Sequence, residues 1–259
     1  MQHTPIWEVI LEVHGSITVE RTLRFSQLKG FRFNDDPFYS DIEIRRSRTS
    51  PGIEATITAF APNEQLAYEA AILFFGQMLD VLAIHICQPL YLNFADTRNF
   101  NHLAHKTLRR VTQEEWQDAF QQSRLLALHE TTRAYLRALG WYRKGLYTVD
   151  PFDKFLAFWN AIEIVASKYH PPIPEGKSKK SKSQIWESFK VLWGECDYWP
   201  IIQGQKAWID DNYEIRNAIA HGTQAVDINS VKEVTQKIDT IKQIALQFLL
   251  EWREKRLEI

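Results

Sequence analysis

Arg216, Asn217 and His221 stand together in one short stretch, RNAIAHG, residues 216–222. Arginine offers a planar, permanently charged fork that fits a phosphate. An unperturbed histidine has a pKa near 6.5, so it can give or take a proton close to neutrality, as general acid–base catalysis requires. Asn217 and His221 are four residues apart and share a face if the stretch is helical. The amide is then placed to hydrogen-bond the imidazole and fix its tautomer. Gly222 suits the left-handed residue that stops a helix, and the free carbonyls of a last helical turn favour an imidazolium. This set suits metal-independent RNA cleavage. His221 acts as general base or acid on the ribose 2′-hydroxyl, whose oxygen attacks the adjacent phosphate, and Arg216 stabilises the developing charge. The other reading is a well-capped helix end in which the same side chains are structural.

Spacing alone does not single this stretch out. Arg124 with His129, and Arg98 with His105, have similar separations. The first pair reads as surface groups flanking an apolar stripe, and no helical pattern leads into the second. Only at residue 216 does a helical run (KAWIDDNYEI) lead in, with Asn217 next and Gly222 closing the turn. A further carboxylate belongs to the set. In FWNAIEIVASKY, Glu163 follows Leu156 by seven residues and Trp159 by four, which puts it on the apolar stripe of a helix. A carboxylate there needs a partner, and Arg216 is the obvious one. A catalytic role and a buried structural ion pair are both open to it.

On these residues the chain resembles the HEPN superfamily, helical domains with an Arg-polar-x-x-x-His motif. The pairing of FWNAIEIVASKY with RNAIAHG is most similar to the Apea-like branch. The resemblance covers residues 112–255. It implies a mainly helical bundle, often a homodimer with two motifs facing each other. It also implies metal-independent endoribonuclease activity of the kind found in antiviral defence and toxin systems. Some members of that superfamily serve instead as binding or assembly modules. Carried over by position, Arg216, Asn217 and His221 match the motif, and Glu163 matches loosely. The whole chain also resembles bacterial proteins labelled methylamine utilization protein MauJ, a label that suggests a pathway but no mechanism.

Composition narrows the field. A chain of 259 residues with net charge −1 has no overall basic field to draw in nucleic acid. RNA contact must then come from a local patch. Lys177, Lys179, Lys180 and Lys182, in the low-complexity stretch PPIPEGKSKKSKS, are the candidates, with a solvated loop as the bland alternative. Trp186, Trp193, Trp199 and Trp208 recur near helical spacing, which favours core packing over base stacking. Cys87 and Cys196 lie far apart, outside any CxxC pattern, and no HExxH occurs. No metal, cofactor or DNA is expected. The N-terminus lacks the pattern of a signal peptide. The apolar run at residues 70–86 is interrupted by Gln77, Asp80 and His85 and is short for a bilayer. A soluble cytoplasmic protein is expected.

The elements that must position these residues follow from periodicity. WEVILEVH, ITVERTLRF, DIEIRRS and IEATITAFA alternate with period two, as strands do. Gly15-Ser16 suits a two-residue hairpin. A helix apolar nearly all round should run from residue 63 to 86 and pack on the sheet. LYLNF is a candidate strand, and TRNFNHLAHKTLRRV a candidate boundary. Thr112 and Glu115 have capping-box spacing, opening a helix expected to end before Gly140. Asp150-Pro151 should cap the next helix. A closing helix carries Val231, Val234, Ile238, Ile241, Ala245, Phe248 and Trp252 at heptad spacing, suited to a bundle core or to a dimer seam. The expected fold is α+β. An N-terminal antiparallel sheet with one packed helix occupies residues 1–110, and a HEPN-like helical bundle follows over residues 111–259.

Overall fold

The alternating segments form strands. In the computed structural model, β1 (Ile6–His14), β3 (Leu23–Phe33), β4 (Asp36–Arg46), β5 (Gly52–Phe60) and β6 (Tyr91–Asn93) make one antiparallel sheet of order β3-β4-β5-β1-β6. A second, parallel pair joins β2 (Ile17–Thr18) to β7 (Arg109–Arg110). The structure describes residues 6–33, 36–48, 51–93, 109–176, 180–223 and 228–257. Most of the expected boundary segment, including Arg98 and His105, lies outside them. The chain divides into two units, Met1–Leu128 and His129–Ile259.

In the first unit, Val9, Leu11 and Val13 of β1 are buried together with Ile42, Ile44, Ile53, Ala55 and Ile57. α1 (Glu64–Ile86) and α2 (Gln113–Leu128) pack together and against strands of the sheet. Phe25 meets Phe120 at 4.8 Å between ring centroids, and Phe75 stacks on Trp116 at 6.4 Å. α1 is longer than its apolar run. Residues Ala67–Ile86 are long and apolar enough to cross a membrane, but 61% of that stretch is buried inside the protein, as in a core helix.

Gly15-Ser16 is not a hairpin. β1 pairs with β5 and β6 instead, and Ser16 leaves the sheet, its carbonyl accepting from the Arg109 amide at 2.6 Å. A Cβ on Gly15 would lie 2.8 Å from the Pro89 carbonyl oxygen, so glycine serves a close backbone approach here, not a turn. β4 and β5 pair antiparallel, the Ser47 amide donates to the Gly52 carbonyl at 3.1 Å, and Gly52 (φ +141°) lies beside the Val13 carbonyl.

Thr112 and Glu115 form the capping box. The Thr112 amide donates to Glu115 Oε2 at 2.9 Å, and the Glu115 amide to Thr112 Oγ1 at 3.2 Å. Arg109 clamps the same carboxylate and holds Glu115 below the usual carboxylate range. The helix it opens does not reach residue 139. α2 stops at Leu128, a short 3-10 turn covers Glu130–Thr132, and α3 (Arg133–Tyr147) runs straight through Gly140. At the break, the Thr132 amide and hydroxyl both donate to the His129 carbonyl, a local alternative to helix bonding. Tyr169 donates to the Thr131 carbonyl and accepts from the Tyr135 amide, fixing the break in place. The division between units therefore falls after Leu128 rather than near residue 110, because Trp116 and Phe120 bind α2 to the first unit.

The second unit is built round α4 (Pro151–Tyr169), capped as expected by Asp150, whose Oδ1 accepts from the Asp153 amide at 2.9 Å. α3, α5 (Ser181–Trp193), α6 (Trp208–Ala220) and α7 (Ile228–Arg256) all pack on it. Of the heptad residues, Val234, Ile241, Ala245, Phe248 and Trp252 are buried within this unit, and Val231 and Ile238 are half-buried.

Two outcomes follow. A Cβ on Gly145 would lie 2.6 Å from the Phe158 ring, because α3 and α4 touch there. Gly145→Ala should lower stability by about 1–3 kcal/mol through overpacking, although alanine is the better helix former. Urea unfolding checks this, and Phe158→Leu in the same chain should recover part of the loss. His14 is buried beside Glu12, and burial holds its imidazole below the ordinary value despite the carboxylate at 3.5 Å. The unfolded chain then takes up a proton that the folded one refuses. The His14 contribution to stability is full above pH about 6.5 and declines as the pH falls below it. An NMR titration should give His14 a midpoint below that of an exposed histidine, and an unshifted midpoint would refute the assignment.

Candidate functional site

α6 is the element that carries the motif, and its end is made by hydrogen bonds. The His221 amide donates to the Asn217 carbonyl at 2.9 Å. The Gly222 amide donates to the Ile219 carbonyl at 3.1 Å, and the Thr223 amide to the Ala218 carbonyl at 2.8 Å. Gly222 has φ +66°. This is a Schellman closure with glycine at the left-handed position, as the sequence predicts. A Cβ at Gly222 would touch nothing, so the backbone angle alone asks for glycine. The closure leaves His221 exposed at the C-terminal end of the helix.

Arg216 points to α4. Its Nε donates to Glu163 Oε2 at 3.2 Å, and its Nη2 lies 3.2 Å from the same oxygen. Its Nη1 donates to Asn217 Oδ1 at 3.0 Å. Two of the five guanidinium N–H groups, on Nε and Nη1, are hydrogen-bonded, and Nη2 makes an ion-pair contact. The Arg216 side chain keeps 26% of its surface exposed and Glu163 15%. The pair sits at the edge of the core, with one side open.

Three of the four sequence-derived residues, Arg216, Asn217 and Glu163, are therefore in direct contact. His221 stands at the helix end, about one turn beyond. The Asn217 amide oxygen is given to Arg216 rather than to the His221 imidazole, so in this arrangement Asn217 orients the arginine. The physical reason is competition: a guanidinium beside the amide makes the stronger, charge-assisted hydrogen bond.

Tyr213 belongs to the same cluster and was not anticipated. Hydrogen bonds from Ser181 and then Asn217 hold its phenol below the ordinary value, with Arg216 acting in the same direction against burial and Glu163. The signal was in the sequence, since Tyr213 precedes Asn217 by four residues and Arg216 by three on one helix face. Its ring lies 6.4 Å from that of Trp159, and Lys182 Nζ sits 5.7 Å from its centre.

The lysine run divides. Lys177 and Lys179 lie outside the described residues. Lys180 precedes α5, and Lys182 pairs with Asp210 of α6 at 2.5 Å. Trp199 and Trp208 are buried in the core, whereas Trp186 and Trp193 are half-buried. Cys196 is buried and its thiol is pushed up by that burial, the state of an unreactive thiol. Among the described residues no three His, Cys, Asp or Glu side chains are grouped to hold a metal ion.

Part of the chain is similar to a known family. The family model described as methylamine utilization protein MauJ matches residues 138–250. That span runs from within α3 to near the end of α7 and contains Glu163, Tyr213, Arg216, Asn217 and His221, while the sheet unit lies outside it. No curated protein and no solved structure matches the chain.

The ion pair has a measurable signature. Because both partners keep some solvent contact, a double-mutant cycle of Glu163→Gln and Arg216→Gln should give a coupling of about 1 kcal/mol, well below that of a fully buried pair. Additive losses would show that the two side chains do not depend on each other.

Proposed function

We propose that the helical unit is a HEPN-type domain and that RNAIAHG is the site of a metal-independent endoribonuclease. The observation that carries this reading is the split of duties on α6. Arg216 is held by Glu163 and Asn217 with N–H groups to spare, while His221 is exposed at the helix end. A guanidinium fixed in this way binds a phosphate without first losing much side-chain freedom. The exposed imidazole takes the 2′-hydroxyl proton, and the oxygen attacks phosphorus. The bond to the 5′-oxygen breaks, and that oxygen takes a proton from a second acid. The products are a 2′,3′-cyclic phosphate and a 5′-hydroxyl. A homodimer would supply the second acid from a facing copy of the motif. RNA is the substrate class because the reaction needs the 2′-hydroxyl.

A second reading is favoured by the same ion pair. Arg216 is mostly covered and tied to two side chains of its own unit, as in a structural network of a non-catalytic binding or assembly module. In that case recognition would fall to the sheet unit. The label of the matching family names a pathway and supports neither reading over the other.

The deciding experiment is cleavage of labelled single-stranded RNA in EDTA, with product ends identified. The wild type should cut to 2′,3′-cyclic phosphate ends. His221→Ala and Arg216→Ala should each lose about 100-fold or more, the range of a lost general base or charge stabiliser. Glu163→Gln should lose less, since it acts through Arg216. No cutting by the wild type across varied RNAs would leave the binding module, and equal cutting by all variants would place any activity elsewhere.

A further inference from the structure

Beside the motif, α5 and α6 border an open recess of about 200 Å³ lined by Lys182, Ser183, Trp186, Glu187, Ile209 and Asp210. Whole small-molecule sites run to about 300–1,000 Å³, so this one suits a fragment the size of a single ring system. Its walls are specific. Trp186 supplies an aromatic surface and is steadied by buried Trp199, whose ring lies 4.8 Å away at 64°. Buried Ile209 supplies an apolar contact. The polar groups are two carboxylates, one ammonium and one hydroxyl, with Lys182 and Asp210 paired at 2.5 Å. The paired Lys182 and Asp210 leave no excess positive charge in the recess to hold a phosphate. The two carboxylates attract a flat, neutral ligand rich in N–H donors.

We infer that this recess is a nucleobase subsite with a preference for guanine. Guanine is the base that presents two adjacent N–H donor positions, N1 and N2, next to an acceptor, O6. Asp210 takes the two donors, as a carboxylate does in bidentate pairing, and Lys182 donates to O6. Trp186 supplies the stacking surface. Adenine, cytosine and uracil each offer only one donor position on that edge. The inference rests on the reading of the chain as an RNA-directed protein, and it adds a base preference to it. Asp210 precedes Arg216 by six residues on α6, about 9 Å along the helix axis. That is short enough for neighbouring nucleotides of one strand to reach both. Asp210 and Lys182 are exposed enough to be changed without opening the core.

The test is calorimetric titration of the full chain with GMP, AMP, CMP and UMP, with no cleavage step involved. GMP should bind about tenfold tighter than the others, the discrimination expected of one bidentate base contact. Asp210→Asn should lose about tenfold for GMP and abolish the preference, while Trp186→Phe should retain it. Equal binding of all four nucleotides, no binding, or undiminished GMP affinity in Asp210→Asn would overturn the inference. GMP binding by a chain that cuts no RNA supports the subsite and removes only the nuclease. RNA cutting without GMP preference removes the subsite and keeps the nuclease.

Discussion

A carboxylate at the edge of the buried face of the central helix is the constraint round which the candidate site is arranged. α4 meets α3, α5, α6 and α7, and Phe155, Trp159, Ile162 and Val165 along it are fully buried. Glu163 lies between these residues and cannot be left unpaired at such a position without a large desolvation cost. Its partner is Arg216 of α6, a helix that also buries Trp208, Ile209 and Asn212. Tyr213 and Asn217 fall on the Arg216 side of the helix, and the chain stops where Gly222 permits it. The ion pair contributes modest stability at this exposure.

Aromatic packing holds the rest of that unit in register. Trp159 meets Phe155, Trp208 and Tyr213, and Phe189 meets Trp193, Trp199, Trp208 and Phe248. These rings tie α4, α5, α6 and α7 into one body. Most of the heptad pattern of α7 enters this packing, since Val234, Ile241, Ala245, Phe248 and Trp252 are buried, while Val231 and Ile238 stay half-buried.

What the sequence made legible was local. The capping box at Thr112, the Asp150 cap and the left-handed Gly222 each depend on residues within a few positions of one another, and each formed as read. Period-two alternation located the strands, and the Glu163–Arg216 contact followed from a misplaced charge needing a partner. What stayed illegible depended on distant groups. Gly15 reads as a turn residue until the Pro89 carbonyl is seen against it. The break at residues 129–132 is fixed by Tyr169, 37 or more positions away, and no propensity in the segment itself announces it. Asn217 reads as a partner for His221 by spacing, yet Arg216 is next to it and holds the stronger charge. His14 reads as a polar-face residue by alternation but is buried.

The arrangement of α6 has a chemical consequence whichever reading holds. An arginine tied on one side to a carboxylate and an amide cannot swing away, so any anion must come to it from the open side. The histidine, by contrast, is placed after the last helical turn, where the backbone carbonyls carry negative partial charge and solvent has access. One residue is thus tied and partly desolvated, and the other is exposed to solvent. Static charge stabilisation asks for the first condition, because a fixed dipole or charge loses no energy to reorganisation. Proton transfer asks for the second, because the imidazole must exchange its proton with solvent between turnovers. A helix end stopped by glycine just after the histidine provides both within about one turn, which a mid-helix pair on the buried face of α4 would not.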